Sequence, residues 1–171
     1  MFDHEKLANI KSHFPIFSQP TPTSDPLIYL DNAATTLKPQ AVIDAVNDIL
    51  VCKTANIHRS VHFLGDMATD AYEDTRSVVA AFIGCNEHEV VFLRNSTEGL
   101  NLVANSYKGK GMIISSVAEH HSNYLPWAEE NVHRLSIDAH GYIDFEELEK
   151  ALCQGNAKLV TLCHVSNVTG A

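Results

Sequence analysis

An α/β fold built on a mainly parallel sheet is the class this 171-residue sequence predicts. Two observations carry the expectation. Short apolar runs at 90–93, 112–115, 132–137 and 159–164 alternate with amphipathic stretches at 97–106, 122–130 and 145–153. That β-α-β-α order argues for parallel strands joined by right-handed crossovers. The second is Lys158-Leu159-Val160-Thr161-Leu162-Cys163-His164. Its nearly continuous apolar character is that of a strand buried on both sheet faces. Only seven residues follow His164, with no helix among them to cover the strand, so the sequence reads as an interrupted domain. The other reading is a small complete domain whose last strand lies on an edge, at the risk of aggregation.

The elements follow in order. Residues 5–13 predict a short helix ending near Phe14-Pro15, and Ser18 to Pro26, with three Pro, predicts a linker. Leu27 to Leu30 is a strand candidate, and Asp31-Asn32-Ala33-Ala34-Thr35-Thr36 a turn of small residues. Pro39 is placed as the first residue of a helix over 39–50, whose Val42, Ala45, Val46 and Ile49 share a face. A longer helix is expected over 65–82, with Gly84 as its stop. Asp144 and Glu147 read as a capping pair for the helix over 145–153. The domain reading is an N-terminal helix and linker over 1–26, then an incomplete α/β domain over 27–171.

Composition narrows the function. An apolar content of 45% with 19% charged residues describes a soluble globular chain. A net charge of −9, without a run of Lys or Arg, argues against nucleic acid, whose binders need a clustered basic face. No stretch of 18 apolar residues and no signal-peptide pattern occur, so no membrane role and a cytoplasmic location are expected. Cys52, Cys85, Cys153 and Cys163 are scattered and read as reduced thiols. His58 and His62 stand four apart, but Arg59, Ser60 and Gly65 around them look like a loop, and no metal site is expected.

The most informative segment is Asn95-Ser96-Thr97-Glu98-Gly99, between the run 90–93 and the amphipathic stretch. A strand ending in such a turn and opening a helix aims backbone N–H groups and a positive dipole end at one spot, which suits a phosphate. Ser and Thr are equally ordinary helix caps. By the same token, His120 beside His121 suits a surface pair, and Asn167 a turn after a strand.

Five segments in order resemble one family: Tyr29–Thr36, Asn56–His62, Ser96–Asn101, Glu119–Trp127 and His164–Gly170. They are similar to the N-terminal part of a cysteine desulfurase or selenocysteine lyase of the second group. These belong to the class V aminotransferases that use pyridoxal 5′-phosphate (PLP) on fold type I. The resemblance implies a PLP-dependent transferase large domain cut after about half of its strands. Ser96 and Thr97 then match the phosphate turn. His120 matches the imidazole that stacks on the cofactor ring and moves protons, and so is the catalytic residue. Asn167 matches the Asn that bonds the ring oxygen. Ala33, Ala34, His58 and Arg59 match segments lining the substrate pocket and dimer contact.

The implied parent is a homodimer that converts L-cysteine, or L-selenocysteine, to L-alanine. Its sulfur passes to an enzyme persulfide, and then to an acceptor protein for iron–sulfur cluster assembly. The family's pyridinium-pairing Asp, cofactor-linking Lys, nucleophilic Cys and carboxylate-binding Arg lie in later segments, and none of the four cysteines matches the nucleophile. This chain alone is therefore expected to be inactive. The alternative is a non-catalytic interaction protein that pairs with a full-length relative or a complementary chain. The family's strand order further implies that 112–115, 132–137 and 159–164 are neighbours, whereas 90–93 lacks a partner. The stretch after Trp127, Ala128 to Asn131, is shorter than is usual in the family, so the helix there is expected to be reduced.

Overall fold

The computed structural model describes residues 3–107, 111–127 and 131–171. Two compact units divide the chain, one running to Val91 and the other from Phe92 to Ala171.

The first unit is helical. Helix α1 (His4–Ser12) starts at Asp3, whose carboxylate accepts from the N–H groups of Glu5 and Lys6. Helix α2 (Gln40–Cys52) follows Pro39, which stands one position earlier than expected, as the cap rather than inside the helix. Its ψ of 155° is extended, and the helical turn begins only with the next residue. Helix α3 (Phe63–Ile83) begins two residues earlier than its apolar pattern suggests, because His62 caps it through Nδ1, 3.2 Å from the Gly65 N–H. It ends at Gly84 (φ 75°), whose left-handed conformation lets the N–H groups of Gly84 and Cys85 both reach the Ala80 carbonyl. Leu27–Leu30 forms no strand, and Ile28 and Leu30 point largely into solvent. An apolar run becomes a strand only when a neighbour takes its backbone groups, and no described segment does so here.

The second unit carries the sheet. Strands β1 (Met112–Ser116), β2 (Val132–Leu135) and β3 (Ala157–Val160) pair in parallel in the order β2-β1-β3. Residues 90–93, expected as a strand, form none and join no ladder among the described residues; the family's strand order had implied that they lack a partner here. All five residues of β1 are buried. Successive side chains of a strand face opposite ways, so β1 feeds two cores. Met112 and Ile114 pack with Leu135 and with Ala151 and Leu148 of α6 (Phe145–Cys153). Ile113 packs with Trp127 and with Ala104 and Tyr107 of α4 (Ser96–Tyr107). One helix thus covers each face.

Both flanking strands are shorter than expected, for local reasons. β2 stops at Leu135 because Ile137 instead bridges antiparallel to Ile143, around a turn held by the Asp138 carboxylate. β3 stops at Val160 because the Cys163 N–H is taken by the Glu119 side chain rather than by a strand. Nor is β3 buried on both faces: alternate residues are exposed, as on an edge. Asp144 caps α6, but Glu147 does not complete a capping box. Its carboxylate accepts instead from the N–H and hydroxyl of Ser136 and lies 3.0 Å from His133 Nε2. The stretch expected as a helix over 122–130 is one turn, α5 (His121–Tyr124), followed by a 3-10 turn at Leu125–Trp127. Residues 128–130 lie outside the described residues.

Candidate functional site

At the start of α4 the cap is Asn95, whose Oδ1 accepts from the Glu98 N–H at 3.0 Å. Ser96 and Thr97 therefore lie inside the first turn, and capping does not consume their hydroxyls. Among the described residues, no hydrogen bond takes the backbone N–H of Ser96 or Thr97. These are two of the donors that every helix leaves open at its N-terminus. Glu98 is held by Arg94, whose guanidinium and N–H both reach its carboxylate, and this keeps the Glu98 carboxyl below its ordinary range. The pair largely cancels the negative charge of Glu98 beside the open donors.

His120 stands just before α5 and caps it. Its Nδ1 accepts from the Ser122 N–H at 3.1 Å and lies 2.8 Å from the Ser122 hydroxyl. An imidazole that accepts at Nδ1 carries its proton, when neutral, on Nε2. His120 is an exposed residue. Thr97 and His120 line one cleft of about 430 Å³, together with Asn101, His121, Ser122, Leu125 and Pro126. That volume falls in the range of about 300–1,000 Å³ for small-molecule sites. The Asn101 side chain also donates to the Thr97 carbonyl, fixing that wall.

The other expected residues are placed as follows. Asn167 sits in an exposed turn after β3, where Ser166 accepts from the N–H groups of Val168, Thr169 and Gly170. Ala33 and Ala34, in the first unit, lie in an exposed turn whose Ala34 and Thr35 N–H groups return to the Asp31 carbonyl. His58 and Arg59 belong to a loop pressed on α3. A Cβ at Gly65 would come within 2.0 Å of the Ser60 Cβ, so only glycine permits that approach. His58 adopts φ 66°, an uncommon angle for a residue with a side chain. Its N–H donates to Thr69, its ring meets Tyr72 edge-on at 5.5 Å, and Nε2 lies 3.4 Å from Glu73. The structure thus brings Thr97 and His120 to one cleft, sets Ser96 beside Thr97, and does not put Asn167 in the lining of that cleft.

Sequence reading missed the polar brace under His120. Glu119 and Asn123 are buried, and the Asn123 amide donates to Glu119 Oε2 at 2.7 Å. The i, i+4 spacing of 119, 123 and Trp127 was the available signal, since it aligns them on one side of a helical turn.

A fit for PLP rests on three features: unclaimed N–H groups beside two hydroxyls, an anion-favouring helix terminus, and a flat imidazole on the same cleft. A profile of the family described as Aminotransferase class-V matches residues 28–171. A probable cysteine desulfurase of Chlamydia muridarum is 43% identical over 174 residues, covering 95% of this chain and 42% of the relative. The apo structure of a cysteine desulfurase from Thermococcus onnurineus NA1 superposes with a TM-score of 0.81 at 36% identity, covering 98% of this chain and 41% of that one. A structure described as SspA in complex with cysteine gives a TM-score of 0.70 at 27% identity, over 82% of this chain and 43% of that one. The chain therefore spans about two-fifths of the length of the relatives it matches.

Proposed function

This chain belongs to the class V aminotransferase family, and on that premise we propose that it supplies the phosphate-binding and ring-stacking side of a PLP-dependent cysteine desulfurase. The observation that carries the reading is the meeting of Thr97 and His120 in one cleft. The N–H groups of Ser96 and Thr97, with their hydroxyls, hold the phosphate at the positive end of α4. His120 would stack on the ring, and its Nε2 could give up or take a proton beside the substrate carbon. Asn167, which is not in the lining of this cleft, would bond the ring oxygen by the family resemblance alone. By the family resemblance, Ala33, Ala34, His58 and Arg59 would serve the parent enzyme's substrate pocket and dimer contact. When bound, PLP supplies an electron-withdrawing ring that weakens the bonds at the substrate's α-carbon.

The parent reaction is removal of sulfur from L-cysteine, giving L-alanine and a persulfide for iron–sulfur cluster assembly, in a cytoplasmic homodimer served by an acceptor protein. L-Selenocysteine is the competing substrate. A relative in complex with cysteine supports the substrate class. Residues 27–171 are read as part of one large domain and 1–26 as its leading helix and linker. No described helix is long and apolar enough to cross a membrane.

The 171-residue chain by itself is proposed to bind PLP loosely and to turn over nothing, because in this family the cofactor-linking Lys and nucleophilic Cys belong to later segments. The test titrates PLP and pyridoxal while following the fluorescence of Trp127, then adds L-cysteine. PLP is expected to quench, pyridoxal (which lacks the phosphate) to quench at least tenfold less well, and no sulfide to appear. Equal binding of the two would sink the phosphate assignment, and sustained sulfide release would sink the inactivity. The second reading, a non-catalytic partner for a full-length relative, is favoured by the exposed apolar face of α2. Capture by an immobilised full-length homologue separates it from the first.

A further inference from the structure

Glu119 is a carboxylate buried at the ends of β1 and β3, and among the described residues no ion pair includes it. A charge withdrawn from water needs compensation, and here hydrogen bonds provide it. Oε1 accepts from the Ser116 hydroxyl at 2.9 Å and from the Cys163 N–H at 3.0 Å. Oε2 accepts from the Asn123 amide at 2.7 Å. Asn123 is committed in turn: its Oδ1 accepts from Trp127 Nε1 at 3.2 Å and from the Thr161 hydroxyl at 2.7 Å. Each side-chain oxygen of the pair thereby accepts at least one hydrogen bond. The brace ties together β1, the segment after β3 and α5, and His120 hangs between its two anchors.

We propose that Glu119 is the positioning residue for His120: with Asn123 it pins the backbone on both sides of the imidazole, so that Nδ1 stays on the Ser122 N–H and Nε2 faces the cleft. The use of His120 in cofactor chemistry rests on the function proposed above, but its orientation does not. The experiment therefore needs no cofactor, and its failure is distinguishable from failure of that function.

The test reads the tautomer of His120 by two-bond ¹H–¹⁵N spectra of the imidazole-labelled 171-residue protein, its signals identified by their loss in His120→Gln. The native chain is expected to show one neutral set with the proton on Nε2. Glu119→Gln turns an acceptor into a donor that faces the Asn123 amide, two donors in opposition, and the His120 signals should broaden or average between tautomers. Combining Glu119→Gln with Asn123→Asp reverses that bond and leaves every other acceptor in place. The charge moves by one side chain, and the native set should return. A purely structural Glu119 predicts a lower unfolding midpoint with an unaltered His120 set, and that result overturns the proposal. If Glu119→Gln alone does not fold, the double substitution decides. Native His120 signals support the proposal, whereas averaged signals or a chain that stays unfolded overturn it.

Discussion

Ile114 of β1 has no accessible surface, while Val46 and Ile49, on the apolar stripe of α2, are about half exposed at 51% and 50%. The two units hold similar apolar residues and treat them differently. From Phe92 onward a central strand carries side chains into cores on both sides. Up to Val91, helices form, yet among the described residues the buried ones are only Gly65, Ala80 and Val90. Periodicity makes a helix, whereas a core needs a second surface that meets it. The stripe on α2 has the first and, among the described residues, lacks the second.

The contrast can be broken most directly in the core. Ile114→Ala should cost about 2–5 kcal/mol, the usual range for emptying a buried aliphatic site. Urea unfolding followed by Trp127, the one tryptophan of the chain and a member of the second unit, reads that loss. A cost under about 0.5 kcal/mol, typical of surface changes, would mean that β1 is not the centre of this unit. A smaller effect concerns acid. Glu147 sits below its ordinary carboxyl range, chiefly because the Ser136 hydroxyl and N–H bond its charged form, with His133 adding to the effect. A carboxyl depressed in the folded state stabilises above its unfolded value, near about 4.3 for Glu. That contribution is lost as pH falls through the folded value, since the unfolded chain then binds more protons. Glu147→Gln should flatten the decline of the Trp127 midpoint between about pH 5 and 3, and an unchanged slope would remove Glu147 from the account. The smallest effect belongs to the first unit. Phe82 is 89% exposed, and Phe82→Ala should shift the midpoint by less than about 0.5 kcal/mol by helix circular dichroism. A loss of core size there would show that α3 buries this ring in solution.

What could be read from the sequence followed the same division. Helices α3 and α6 were legible because their stop and start signals are local: Gly84 ends one and Asp144 opens the other. β1 was legible because Met112, Ile113 and Ile114 form a short apolar run. Leu27–Leu30 misled, since strand character there depends on a neighbour that four residues cannot specify. The end of β3 was hidden for a related reason: Cys163 gives its N–H to Glu119, 44 positions earlier, and such a pairing leaves no periodic trace. In the candidate site, the turn at Ser96-Thr97 was readable as helix chemistry. That Asn95 takes the cap and leaves both hydroxyls unused depended on the fold. The brace of Glu119 and Asn123 was half visible, as a spacing without a partner.

The left-handed backbone at His58 has a consequence for how this loop varies over time. A non-glycine residue held there costs on the order of 1–3 kcal/mol, so drift at that position runs downhill toward glycine. An imidazole persists only where its contacts repay the strain, and those with Thr69, Tyr72 and Glu73 tie it to α3. Random substitution should therefore find stabilising variants at this codon more readily than at its neighbours, and the ring they discard is the measure of what selection keeps it for.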